Sequence, residues 1–270
     1  MSLYPVTQSY FFSNDPNSGA RQVSADGSRF TVQLDSPIEV PEDAIGASLS
    51  VSQATIWNVS YNISASISNN IFKFTTNEAP AGTYTLTIPD GQYSLPDLNS
   101  HLSREFVNLG LPNNLVVISG DSATQRTILT FIRGDDSVDF AVASSVRETL
   151  GFDSRVVTSQ GTGWNEFSDN QAAFNRVNSY IITTDLISNG IPTNSVSSGV
   201  IASVPIDVGP GSQITYQPRN PISTDAGELV RHRKNVFTFN LYDQQLRPVD
   251  TNGELWSFVV VLKYYLEHKK

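Results

Sequence analysis

Three histidines, a scatter of aspartates and one dense basic run are the side chains in this 270-residue sequence best suited to chemistry. His101, His232 and His268 stand far apart, and none has the close partner that would put two imidazoles on one metal. His101 lies four residues before Glu105 on a predicted helix, which reads as a surface pair. Asp135, Asp136, Asp139 and Asp153 lack the alternate-position spacing of a calcium loop. There is no Gly-x-Ser-x-Gly elbow and no glycine-rich phosphate loop. With no cysteine in the chain, thiolate metal sites, cysteine nucleophiles and disulfides are excluded, which leans towards a reducing compartment. The expectation is a protein that is not an enzyme and has no cofactor, metal or catalytic residue.

What remains is recognition chemistry. Arg133-Gly134-Asp135 spells the tripeptide that integrins bind, in a predicted turn between Ile132 and Val138, although Gly-Asp is also ordinary turn chemistry. Trp57 and Trp164 fall in loop-like sequence, where an exposed indole anchors an interface or a sugar and a buried one plugs the end of a sandwich. Arg231, Arg233 and Lys234, with His232 among them, precede the C-terminal strands. They read either as a contact for an acidic neighbour or as the charged guard of a strand edge. Asn58-Val59-Ser60 and Asn62-Ile63-Ser64 match glycosylation acceptors.

The elements that must position these residues are mostly strands. Phe237, Phe239 and Leu241 alternate with polar residues, and from Leu255 to Leu266 apolar residues occupy both faces, so this last strand is expected to be covered on both sides. Further strands are predicted at Arg29–Leu34, within Ala47–Ser60, and at Ile71–Thr75, Ser179–Leu186 and Gly199–Ile206. Residues 1–28 are polar and read as an N-terminal arm or extended tail, with a short strand expected at Ser9–Phe12. Between Gly82 and Phe152 the pattern changes to strand, helix, three strands and helix. Ser94, Pro96 and Asp97 open the first helix, and Leu98, Leu102 and Phe106 share its face; Ser145, Glu148 and Gly151 frame the second. The fold class is therefore all-β dominated: an antiparallel β-sandwich of single jelly-roll type, residues 29–81 plus 154–270, with an inserted small α/β subdomain at 82–153.

A net charge of -9 argues against direct nucleic-acid binding. The first residues have neither a basic nor an apolar leader region, so no signal peptide is expected, and no apolar run is long enough to span a bilayer.

Several stretches together resemble the jelly-roll penton and minor capsid proteins of the adenovirus–tectivirus lineage of double-stranded DNA viruses, virophages and polinton-like viruses included. They are RFTVQLDSPIEVPEDAIGASLSVSQATIWNVSYNIS with NNIFKF, GTYTLTIPDGQYSLPDLNSHL with the later ETLGF, SYIITTDL, GVIASVPID, and the closing NVFTFNLYDQQLRPVDTNGELWSFVVVLKY. The resemblance implies a virion structural protein, assembled in the host cytoplasm or nucleus, whose upright jelly roll packs into a homopentameric ring. Its implied partners are itself, a neighbouring major capsid protein, and a spike protein or host receptor. Two alternatives stand beside it: a receptor- or carbohydrate-binding module of a fibre or adhesin, and a trimeric major capsid protein should the strands form two rolls.

Overall fold

The computed structural model describes residues 3–188, 190–191, 199–230 and 233–267. They form two compact units, Met1–Ser60 with Val177–Lys270, and Tyr61–Arg176. The first unit begins with β1 (Leu3–Ser13), β2 (Ala20–Arg21), β3 (Arg29–Ile38) and β4 (Ile45–Trp57). The second holds β5 (Ile71–Thr76), β6 (Gly82–Thr87), α1 (Leu95–Asn108), β7 (Val116–Asp121), β8 (Arg126–Phe131), β9 (Ser137–Asp139), α2 (Arg147–Leu150), β10 (Val156–Thr158) and β11 (Trp164–Gln171). The chain then returns to the first unit with β12 (Ser179–Thr184), β13 (Val200–Pro205), β14 (Gln213–Tyr216), β15 (Thr224–Asp225), β16 (Lys234–Asp243) and β17 (Ser257–Glu267).

In the first unit one sheet runs β1-β17-β4-β14, with β15 also on β4, and the other runs β13-β12-β16-β3-β2. Setting aside the two-residue β2 and β15, first strand pairs with last, second with seventh, third with sixth and fourth with fifth: β1 with β17, β3 with β16, β4 with β14, β12 with β13. A long antiparallel ribbon rolled into two sheets gives that nesting, and it is the jelly-roll order. The second unit is inserted between the third strand, β4, and the fourth, β12.

Alternation decides what fills the sandwich. Phe30, Phe237, Phe239, Trp256 and Phe258 all point inward and are essentially buried. The rings of Phe239 and Phe258 meet edge-on at 4.8 Å, and Trp256 stacks on Phe258 at 5.4 Å. Burying each such side chain contributes roughly 1.5–3 kcal/mol.

The N-terminal residues differ from the expected arm. β1 pairs with β17 along its whole length, from Leu3 opposite Glu267 to Ser13 opposite Ser257, and Phe12 reaches the core with its ring 4.8 Å from that of Phe239. Beyond it, Asn14 Oδ1 accepts a hydrogen bond from the Trp256 N–H at 2.9 Å, and Asn14 N–H donates to the Trp256 carbonyl at 3.1 Å. The two C-terminal strands do not form a hairpin: β16 lies in one sheet and β17 in the other, and the polar stretch between them connects the two sheets.

The second unit has its own core beneath two sheets, β10-β9-β5-β6 and β11-β8-β7. Helix α1 opens as its sequence predicts, with a reciprocal Ser94–Asp97 capping box, and buries Leu98, Leu102 and Phe106. Asn99 Oδ1 accepts from the Ile118 N–H at 2.7 Å and fixes α1 against β7. After α2, Gly151 turns the chain at φ 81°, where a Cβ would strike the Asn170 carbonyl. This compact unit is wider than the 82–153 expected for the insertion, because β5 forms a hairpin with β6 and turns Phe72 and Phe74 into the second core. Its strand order is not that of a second jelly roll, so a double-roll architecture has no counterpart in these sheets.

Candidate interaction surfaces

The sequence-predicted recognition residues divide between the two units. In the second unit, Arg133-Gly134-Asp135 forms the turn that joins β8 to β9. Arg133 forms an ion pair with Glu78, and Asp135, at φ 65°, donates its N–H to the Ser159 carbonyl at 3.3 Å. Gly134 lies so close to the neighbouring loop that an added Cβ would come within 3.3 Å of Gly161 Cα. The same loop leads into Trp164, whose N–H donates to the Gly161 carbonyl at 3.2 Å and whose side chain is 38% exposed. The structure thus brings the Arg133–Asp135 turn and Trp164 together around Gly161, a proximity that sequence spacing does not announce. The tripeptide is braced by its neighbours, with its arginine committed to Glu78.

In the first unit Trp57 ends β4 opposite Gln213 and lies half-buried in a narrow cleft beside Val249, Leu255 and Trp256. It closes an end of the sandwich. Arg233 pairs with Glu39 at 3.0 Å, both largely in solvent, and Lys234 Nζ donates to the carbonyls of Asp185 and Leu186. Arg231, His232 and His268 lie outside the described residues.

The acidic residues do not converge. Lys73 donates to Asp139 at 2.9 Å and holds its carboxyl below the usual range, Asp153 accepts from Asn170 at 3.0 Å, and Asp136 is buried with Oδ1 accepting from the Asn77 N–H. Among the described residues no group of three or more potential ligands is placed to hold a metal ion. Both glycosylation sequons fold inward: Asn58 donates to Val208 O at 2.9 Å and Asn62 to Tyr93 O at 2.7 Å.

His101 departs from the surface pair read in the sequence. It is buried on α1, with Arg104 Nη2 3.5 Å from Nδ1, the Tyr93 ring beside it at 6.1 Å and Nε2 without a partner. Burial lowers its pKa, Glu105 opposes that shift and Arg104 adds to it. The folded state therefore favours neutral imidazole. Its stabilising contribution is intact above the unfolded pKa of about 6.5 and declines as pH falls through that value towards the lower folded pKa. The expected decline, no steeper than about 1.4 kcal/mol per pH unit for one proton, should be absent in His101→Gln when denaturation is followed between pH 7.5 and 5.

Sequence reasoning missed one surface altogether: the outward face of the β1-β17-β4 sheet. Phe11 is 64% exposed there, Leu3 48% and Ile45 46%, with Tyr265 exposed and Val259 and Val261 half-exposed. Among the described residues no second layer lies over this side of the last strand. The visible signal was the double apolar pattern of β17 itself.

No family model matches the sequence, and no curated protein matches it either. Among solved structures the chain is similar to the crystal structure of the mavirus penton protein, with a TM-score of 0.51 over 97% of this chain and 100% of that one. Sequence identity across the match is 10%, so what the two chains share is the fold.

Proposed function

We propose that this chain is a viral capsid structural protein that serves as the penton, closing into a homopentameric ring at a vertex of the virion. The observation that carries this reading is the nested eight-strand jelly roll with its insertion between third and fourth strands, matched end to end by a penton protein. Its work in this reading is mechanical: the two cores stabilise the subunit, and exposed strands and loops bind copies of itself and the adjoining major capsid protein. Light scattering after size exclusion, across a range of protein and salt concentrations, is expected to give the mass of five chains. A discrete trimer or a persistent monomer would remove the ring.

A second reading, a receptor-binding surface on the second unit, draws on one observation: exposed Trp164 beside the Arg133–Asp135 turn. Retained host-cell binding after Trp164→Ala and Asp135→Ala would end it.

A further inference from the structure

We infer that the outward face of the β1-β17-β4 sheet docks a second copy of this chain, an inference that rests on the ring reading and gives it a contact surface. β17 runs between β1 and β4 and places Val259, Val261 and Tyr265 on the same outward side as Phe11 of β1 and Ile45 of β4. Its alternate residues, Phe258, Val260 and Leu262, fill the core. A strand apolar on both faces belongs in an interior on both sides, yet the described residues supply only one.

Charge permits a second copy as the occupant. The protein carries a net charge of -9, so copies repel each other wherever acidic surfaces meet. β1 and β4 contain no charged residue, and β17 contains only Lys263 and Glu267, with Lys263 Nζ folded over the Tyr265 ring at 5.3 Å. A copy docking here meets Glu267, at the end of β17, as the one acidic side chain of these three strands. The outward face of the other sheet is different in kind: Thr31, Thr238, Asn240 and Thr183 there satisfy one another, with Asn240 donating to Thr183 at 3.1 Å.

Extent supports the same occupant. Three strands about 4.8 Å apart, rising about 3.3 Å per residue, give this face on the order of 500 Å² in projection. Side-chain relief raises the accessible area towards the roughly 800 Å² per partner of a stable interface. The patch also continues over the sheet edge. Asn14 N–H bonds to the Trp256 carbonyl, so the alternation of an antiparallel ladder turns the backbone groups of even-numbered β1 residues towards β17. Those of Thr7, Ser9 and Phe11 then face the sheet edge, where no strand among the described residues pairs with β1 and β1 carries no charged side chain.

The test is the native mass of the full chain carrying Phe11→Lys and Ile45→Lys, against a control with Val107→Lys and Val156→Lys. The control residues are 56% and 52% exposed and belong to the second unit. The paired lysines on the sheet face should weaken self-association at least about a hundredfold, leaving folded monomers by circular dichroism, while the control assembles like wild type. If the Phe11/Ile45 variant fails to fold, Val259→Thr with Val261→Thr keeps the side-chain shape and should weaken assembly about tenfold. A folded face variant that assembles like wild type overturns the inference and leaves the ring standing. Wild type forming a smaller oligomer that the face variant dissolves overturns the ring and leaves the inference. A wild-type chain that is monomeric throughout overturns both.

Discussion

Trp256→Ala is expected to lower the unfolding free energy of the jelly-roll unit by about 3–5 kcal/mol, a large share of the roughly 5–15 kcal/mol that a domain possesses. The indole is 1% exposed, lies flat on Phe258, and meets the Phe30 ring edge-on at 5.1 Å. Its Nε1–H donates to the Gly27 carbonyl at 2.9 Å, and Asn14 Nδ2 donates to the same oxygen at 3.3 Å. Truncation therefore opens a cavity between the sheets and leaves Asn14 as the remaining side-chain donor to that carbonyl. Trp256→Phe separates the two effects: it keeps most of the ring packing and loses the hydrogen bond, for an expected loss of about 1–2 kcal/mol. Urea denaturation of both variants measures the difference. A loss under about 1 kcal/mol for Trp256→Ala would mean that the sheets close over the gap and that the packing described for this end of the sandwich is wrong.

How much of this was legible depends on how local each signal is. Helix α1 was readable because Ser94, Pro96 and Asp97 form its cap within four residues, and the Leu98–Leu102–Phe106 stripe states which side is buried. The strands β3 and β16 were readable because alternation reports one buried face. Alternation does not say which core that face meets. Ile71–Thr76 looks the same as a sandwich strand in sequence, and only its pairing with Gly82–Thr87 assigns it to the second unit. β1 was legible only at Ser9–Phe12, for a related reason: LYPVTQSYFFS places Pro, Thr and Ser on its outward side, so most of it has the polarity of a tail, and its partner lies at the other end of the chain. Trp164 and the Arg133–Asp135 turn likewise meet through backbone bonds between loops distant in sequence. The outward sheet face was written into β17 as residues apolar on both sides, and reading it required knowing that the described residues cover only one.

Removing residues 1–13 should distinguish an arm from a strand more sharply than any single substitution. A detachable arm can be cut away with little change in melting temperature. Here the cut takes the whole ladder against β17, the Phe12 ring among Phe237, Phe239 and Phe258, and the partly buried Val6 and Tyr10. Losing the Phe12 side chain alone corresponds to about 3–5 kcal/mol. The deletion also makes β17 an edge strand, apolar on both faces and open along one side, which is the condition for edge-to-edge aggregation. The truncated chain is therefore expected to be recovered mostly as insoluble protein, with the soluble remainder lacking the cooperative unfolding of the first unit. Phe12→Ala in the full-length chain should stay soluble but be weakened by that same 3–5 kcal/mol, because the ladder that shields β17 is still in place. A truncated protein that is soluble and melts within a few degrees of wild type would show that β1 is dispensable to the sandwich, and the first-with-last pairing that defines the roll would then contribute little to holding it together.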